Sequence, residues 1–569
     1  MSRHLRLIAG ALLVNLAVPG FAADAPSWPD ALCSNGLPAS HGVPESLDAW
    51  AVGAQLFDGL GDFHRPVTTG AAEAQRYFDQ GMRLLWAFNH DESTRSFAKA
   101  AALDPDCALC WWGVALTVGP NYNKPEMAET RAKTAWAALQ RAEKAAAKAT
   151  PVEQALIAAL AKRYAGPEPL DPGNAAPALT GYAAAMKEVA ARFPDDADVA
   201  TLTAEALMTT NAWKLWQADG TPAPGTEEIV ARLEQVLARH PGHPGANHYY
   251  IHAVEASPHP EKGVASAERL RGMMPAAGHL EHMPAHIFQR IGRYEDAAEA
   301  NRKGAAADFV YYTKTTPPDY YAMYTAHNEA FLAFSAAMAG EKAQALTAGT
   351  RLRVVVPEAM MASEPGSDWT VAALDHARVR FGAWDEILAE TAPNPKFTGL
   401  TATYLYASSL ALAAKGRLDE AHTRLAALDA LTVPADQHAG ANPAADVLAI
   451  ERLIAHARLA TAAGKRDEAI AALKEAVDRE DRLDYDEPAD WFVPTRHLLG
   501  AALLDAGRPA EAEAVYRADL KHNPENGWSL FGLAQALERQ KRDKEAAEVR
   551  KDFATAWQHA DVTLTASAF

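Results

Sequence analysis

Cysteine is scarce in this 569-residue chain: Cys33, Cys107 and Cys110 are the whole supply, too few for a disulfide framework. Cys107 and Cys110 form a single C-x-x-C with no second pair to complete a zinc site, so two buried or paired thiols, or a redox or metal role, remain the alternatives. Positive charge is also short, with 54 Lys and Arg against 72 Asp and Glu, and the formal net charge of −18 excludes a nucleic-acid backbone or an anionic membrane as the main partner. Strand-like alternation is scarce. Beyond the first residues no apolar run is long enough to span a bilayer. Several chemical signatures are missing: a nucleophile elbow, a phosphate loop, a dinucleotide fingerprint, an H-E-x-x-H pair, and a haem-attachment C-x-x-C-H, since Trp111 follows Cys110.

At the N-terminus, Arg3, His4 and Arg6 precede an apolar run from Leu7 to Val18, then Pro19, Gly20 and the small residues Ala22 and Ala23. This pattern predicts a signal segment over 1–22, cleaved near Ala23, and a periplasmic or secreted protein with no membrane span. Residues 23–71 hold many Pro and Gly and are expected to form an arm or cap.

From about residue 72 onward, apolar residues recur at helical spacing. One phrase returns at helix junctions: Gly292-Arg293-Tyr294-Glu295-Asp296-Ala297, Gly416-Arg417-Leu418-Asp419-Glu420-Ala421, Gly464-Lys465-Arg466-Asp467-Glu468-Ala469 and Gly507-Arg508-Pro509-Ala510-Glu511-Ala512. Gly ends one helix, the acidic residues start the next, and Ala lets the pair approach closely. An early unit carries Gly81, Phe97, Ala100 and Pro105, and a late one Gly500, Ala512, Tyr516 and Pro524, at corresponding places. The pattern resembles the tetratricopeptide repeat, a 34-residue pair of antiparallel helices. That resemblance implies an all-α, right-handed superhelical solenoid with irregular insertions, divided into an array over 72–345 and a second over 346–569. It also implies a concave groove that binds a protein, a peptide or a small ligand.

Of the chain's 20 histidines, eight crowd between His240 and His286. His248 and His252 are four apart, with Glu255 three further on; His282 and His286 are again four apart, with His279 three before. The two pairs are separated by 34 residues, one repeat length. Phased by the Gly292 phrase, His279, His282 and His286 fall at the second, fifth and ninth positions of a unit, with Gln289 and Arg290 at the twelfth and thirteenth. His327 takes the second place of the next unit. In the repeat family these positions of the first helix face the groove. The register therefore gathers His248, His252, His279, His282, His286, His327 and Glu255 on one stretch of surface. Imidazoles and a carboxylate so placed suit zinc, copper or iron, and the spacing of neighbouring helices keeps all six rings from sharing one ion. Pro284 falls between His282 and His286 and is expected to start or kink a helix. His240, His243 and His259 lie in Pro-rich turns and are expected to be solvated, and His64 is placed in the arm.

Three function classes follow. The first is a binding solenoid whose groove holds its ligand, with or without a histidine-bound metal. Its expected groove residues include Gln289, Arg290, Tyr320, Tyr321 and Trp491, the last in a loop, Tyr485 to Trp491, that resembles a ligand lid. The second is a metal-dependent enzyme with Glu255 or Glu281 as acid or base. The third is a copper or zinc carrier, toward which Met273, Met274 and Met283 point.

Overall fold

The structure is a computed structural model that describes residues 42–318 and 320–568; the expected signal segment and Cys33 lie outside them. Helix follows helix along the chain, each packed chiefly on its sequence neighbours, and a two-residue hairpin, His438–Ala439 with Asn442–Pro443, is the only sheet among the described residues. No helix among the described residues is long and apolar enough to cross a membrane.

The repeat rests on one packing device. Phe97 lies between Gly81 and Gly113, where an added Cβ would stand 2.6 and 2.4 Å from its ring atoms. Tyr516 lies in the same way between Gly500 and Gly532, at 2.3 and 2.2 Å. Only glycine lets an aromatic side chain of one helix press against the backbones on both sides. The recurrent phrase also explains itself. Gly292, Gly416, Gly464 and Gly507 all have φ between 72 and 84°, the left-handed turn that ends a helix. The basic residue after the glycine pairs with the acidic residue three along, as in Arg417–Glu420 and Arg508–Glu511 at 2.6 Å each.

The arm crosses the first repeats. Phe57 N–H donates to Gln80 Oε1 at 2.7 Å, the Ala276 amide donates to Gly59 O at 3.0 Å, and Arg65 reaches Asp196 and Asp198 at 2.9 and 2.6 Å. At the other end the chain turns back on its middle. Trp528 Nε1–H donates to Ala337 O at 3.0 Å, and Asp561 Oδ1 accepts from the Lys342 amide at 2.7 Å. Cys107 and Cys110 are joined in a disulfide at the start of helix Ala108–Thr117.

Candidate metal centre

Four helices deliver the histidines. Helix Pro244–Val254 carries His248 and His252, and Glu255 is its C-cap. His243 caps that helix: its Nδ1 accepts from the Ala246 amide at 3.0 Å, so its Nε2–H donates to Asp198 at 2.9 Å. The expectation that His243 is solvated is therefore corrected, because capping and an ion partner make its burial affordable; His240 and His259 are exposed. The next unit is broken as Pro284 requires, into Gly278–His282 and Pro284–Arg290, with Met283 between. The break leaves His282 and His286 side by side, their Nε2 atoms 2.7 Å apart. His327 enters from helix Tyr321–Ala339.

The rings are not on an open groove wall, as the repeat register alone suggests. His248 and His282 are 0 % exposed, His252 and His286 2 % and His279 6 %; only His327 is half-buried. Three groups form, each bringing ligand atoms within 4.8 Å of one another: His248 with His252 and His279, His282 with His286 and His327, and Glu255 with His286 and Glu487. The two histidine triads touch, with ring centroids 5.8 Å apart for both His252–His286 and His279–His282.

The groups behind the rings fix which nitrogen faces inward. A backbone carbonyl can only accept, so His248 Nδ1 must donate to Trp86 O, at 2.5 Å. Asn301 spends its amide hydrogen on Ala297 O and turns Oδ1 to His282 Nδ1 at 2.6 Å. Glu255 Oε1 accepts from His252 Nδ1 at 3.0 Å, and its Oε2 stands 2.9 Å from His286 Nδ1, which Glu487 also contacts. Three imidazoles, His248, His252 and His282, are thus held with the proton on Nδ1 and a lone pair on Nε2. The Nε2 atoms converge. His282 and His286 Nε2 face each other at 2.7 Å, His327 and His279 Nε2 lie 3.2 Å from His282 and His248 Nε2, and His252 Nε2 is buried with no protein partner. Two nitrogens at about 2.0–2.1 Å from one tetrahedral ion stand about 3.3 Å apart; the 3.2 Å spacings of His327–His282 and His279–His248 match that separation, and the 2.7 Å one is shorter. Phe88, with φ of 54°, seats its ring on His248, His252 and His279 and fixes their planes.

Burial keeps four of the rings, His248, His279, His282 and His327, uncharged. Burial, followed by the neighbouring histidines, pushes His248, His279 and His282 well below the usual imidazole range, and burial brings His327 down to about 3. Burial opposes ionisation of Glu255, but the facing His286 and His252 outweigh it and hold the carboxyl below its usual range. Glu487 has both oxygens buried, and burial together with Glu255 pushes it well up. Neutral imidazoles with inward lone pairs are the form that binds metal.

Two cavities reach the rings. One, about 420 Å³, is lined by His252, His279, His286 and His327, two from each triad, and by Tyr320 and Tyr324. The other, about 340 Å³, meets His252, His286 and His327 from the side of Tyr485, Asp486 and Glu487.

The remaining expected residues scatter. Glu281 accepts from the Gly272 amide at 3.0 Å and joins none of the three groups. Arg290 is half-buried, donates to Ser257 O at 3.2 Å and lies over the Tyr485 ring, while Gln289 lines neither cavity. Tyr321 is packed against Tyr311 with its hydroxyl on Asp308, and Trp491 is 2 % exposed beside His376 and Tyr406; both lie in the interior, not on a ligand-facing wall. His64 is exposed and bonded to Asp79. Sequence reasoning singled out the 485–491 loop for Trp491 and missed Glu487 beside His286. Phe88, Asn301 and the Trp86 carbonyl carried no signal, since their roles exist only after packing.

Fold and site together define an all-α helical-repeat solenoid that encloses a histidine-lined cavity. Residues 503–549 match the family model described as a tetratricopeptide repeat. No curated protein matches the sequence. Among solved structures, the human IFIT1 dimer with m7Gppp-AAAA is similar at 11 % identity and a TM-score of 0.29, over 80 % of this chain and 91 % of that one. Yeast Tom70 is similar at 12 % identity and a TM-score of 0.28, over 86 % and 93 %. The P58(IPK) TPR domain is similar at 14 % identity and a TM-score of 0.21, over 86 % and 98 %.

Proposed function

We propose that this scaffold binds two transition-metal ions side by side, one in each histidine triad, and presents them to a small ligand in the adjoining cavity. The observation that carries the reading is the convergence of buried imidazole nitrogens in two groups, His248 with His252 and His279 and His282 with His286 and His327, each within 4.8 Å. Nitrogens gathered this closely in a buried site favour a cation among them. Glu255 supports both triads as the hydrogen-bonded carboxylate behind a metal-bound histidine. The reading makes the enclosed cavity, not an extended groove, the working surface. The disulfide between Cys107 and Cys110 agrees with an exported protein in an oxidising compartment.

The test is metal content by mass spectrometry on untagged protein, before and after reconstitution. The expected result is two ions per chain, with both lost in a His248→Asn/His282→Asn double variant that retains its helical circular dichroism. Wild-type protein that takes up no metal after reconstitution would sink the proposal.

A further inference from the structure

Away from the triads, the second array holds a segment of its own chain against its helices. Residues 562–568 form no helix or strand. Three side chains anchor this stretch. Asp561, just before it, accepts from the Lys342 and Ala343 amides at 2.7 and 2.9 Å. Leu564 is buried in an apolar cluster that includes Phe531, with Phe553 and Trp557 packed on it. Ser567 is 0 % exposed and donates to His497 O at 2.8 Å. Its oxygen then accepts from Tyr516, 2.7 Å away, the ring that passes between Gly500 and Gly532. Gln535 also donates to Thr565 O at 3.1 Å. The segment is thus gripped by helices Thr495–Asp505, Pro509–His522 and Gly527–Arg539.

Between these anchors the fit is incomplete. Ala566 and Ala568 face a cavity of about 130 Å³. Leu410, Ile454, Leu473 and Leu498 line it from four helices, with Val493 beside them. The polar members of its wall are engaged elsewhere or lie at its edge. Arg380 donates to His497 Nδ1 at 2.8 Å, and Arg458 lies over the Trp384 ring at 5.8 Å. Thr461 donates to Ala457 O at 2.9 Å, and Asp505 is exposed. Cutting one buried aliphatic side chain back to alanine leaves a space of about 150 Å³. The space under Ala566 and Ala568 is therefore about that of one missing leucine side chain, and its lining has lost those contacts.

We propose that this face of the second array is a peptide-docking groove that residues 562–568 occupy in the free protein. The partner it fits is a peptide segment of another protein that keeps the two anchors, an aliphatic residue and a serine three places on, and carries a leucine where this chain has Ala566 or Ala568. The chain's own segment holds the groove because a short tether keeps it at an effective concentration of about millimolar, not because it fills the site. A competitor that fills the cavity gains the contacts that alanine leaves unmade. Three further buried carbons are worth about 10–100-fold in affinity. None of the groove residues belongs to the histidine triads, so the inference stands apart from the metal reading.

The test uses the full chain and fluorescent peptides of the sequence 561–568, blocked at both ends, in three forms: unchanged, Ala566→Leu and Ala568→Leu. In titrations followed by fluorescence polarisation, one leucine peptide is expected to bind about 10–100-fold tighter than the unchanged one. In a Ser567→Ala chain, whose own segment has lost its bond to Tyr516, every peptide should bind tighter than in the wild type. That chain must keep its helical circular dichroism. The same leucine placed in the chain itself, Ala566→Leu or Ala568→Leu, should raise the thermal midpoint by several degrees and weaken binding of the added peptide. Leucine peptides that bind no tighter than the unchanged one, or binding that ignores Ser567→Ala, would overturn the proposal. Lowered midpoints for both leucine chains would show that the cavity does not admit the side chain and overturn the partner's chemistry. A wild-type dimer that Ser567→Ala turns into a monomer would assign the groove to the same segment of a second copy, and overturn the partner named here.

Discussion

Glu255 gives one oxygen to each triad, to Nδ1 of His252 and to Nδ1 of His286. A glutamine there could accept from only one of them. The other ring would face an NH₂ group, turn to the opposite tautomer, and place a hydrogen on the nitrogen that should bind metal. Glu255→Gln is therefore expected to weaken one ion about 10–100-fold and spare the other, which competition against a chelator would resolve as two separate affinities. Equal affinities in variant and wild type would remove Glu255 from the centre. The histidines themselves were readable in the sequence because the 34-residue spacing repeats them in register. Glu487 was not, because it comes from a distant loop tied down by Asp486 and Asp490 to the Ala441 amide and the Asn442 side chain.

Glycines set how closely neighbouring helices approach, and they serve two purposes. At Gly500 the neighbour is Tyr516, a repeat contact remote from the triads. Gly500→Ala should cost about 1–3 kcal/mol, seen as a lowered thermal midpoint, with metal stoichiometry intact. At Gly304, in helix Tyr294–Lys314, an added Cβ would stand 2.8 Å from His282 Cβ. Gly304→Ala should instead displace His282 and weaken the ion of that triad alone, measured by the same chelator competition. If both alanine variants changed stability only, the close approach at Gly304 would have no part in the site. The repeat contacts were legible from Gly81, Phe97, Gly500 and Tyr516, since glycine opposite an aromatic recurs at matching places. The second role of glycine was not, because nothing in the local sequence says which side chain will face it.

Across the whole molecule, buried ionisable groups also occur far from the triads. Glu451, in the second array, accepts from Thr403 at 2.7 Å, and burial raises its carboxyl from 4.5 to about 8. It is protonated in the folded chain and ionised in the unfolded chain between those values, so it lowers stability progressively as pH rises from 4.5 toward 8. Glu451→Gln should remove that dependence, leaving the midpoint nearly unchanged at pH 4.5 and raising it by several degrees near pH 8 in a thermal scan. A variant no more stable than wild type at the higher pH would show that Glu451 finds a charged-state partner on folding.

The sequence by itself determined the helical repeat, its junctions and the crowding of His248, His252, His279, His282, His286 and His327, because helix period and repeat length are local properties that a pattern of residues can carry. It also fixed the helix break at Pro284, which has no amide hydrogen to continue the ladder. Only the tertiary structure decided that the six rings part into two triads, that they are enclosed instead of lining an open groove, and that their Nε2 atoms point inward. Those outcomes depend on acceptors from elsewhere in the chain, the Trp86 carbonyl, Asn301, Glu255 and Glu487, and on an arm and a C-terminal end that fold back. A ring's useful nitrogen is set by what the other nitrogen touches, and that contact exists only once distant segments have packed.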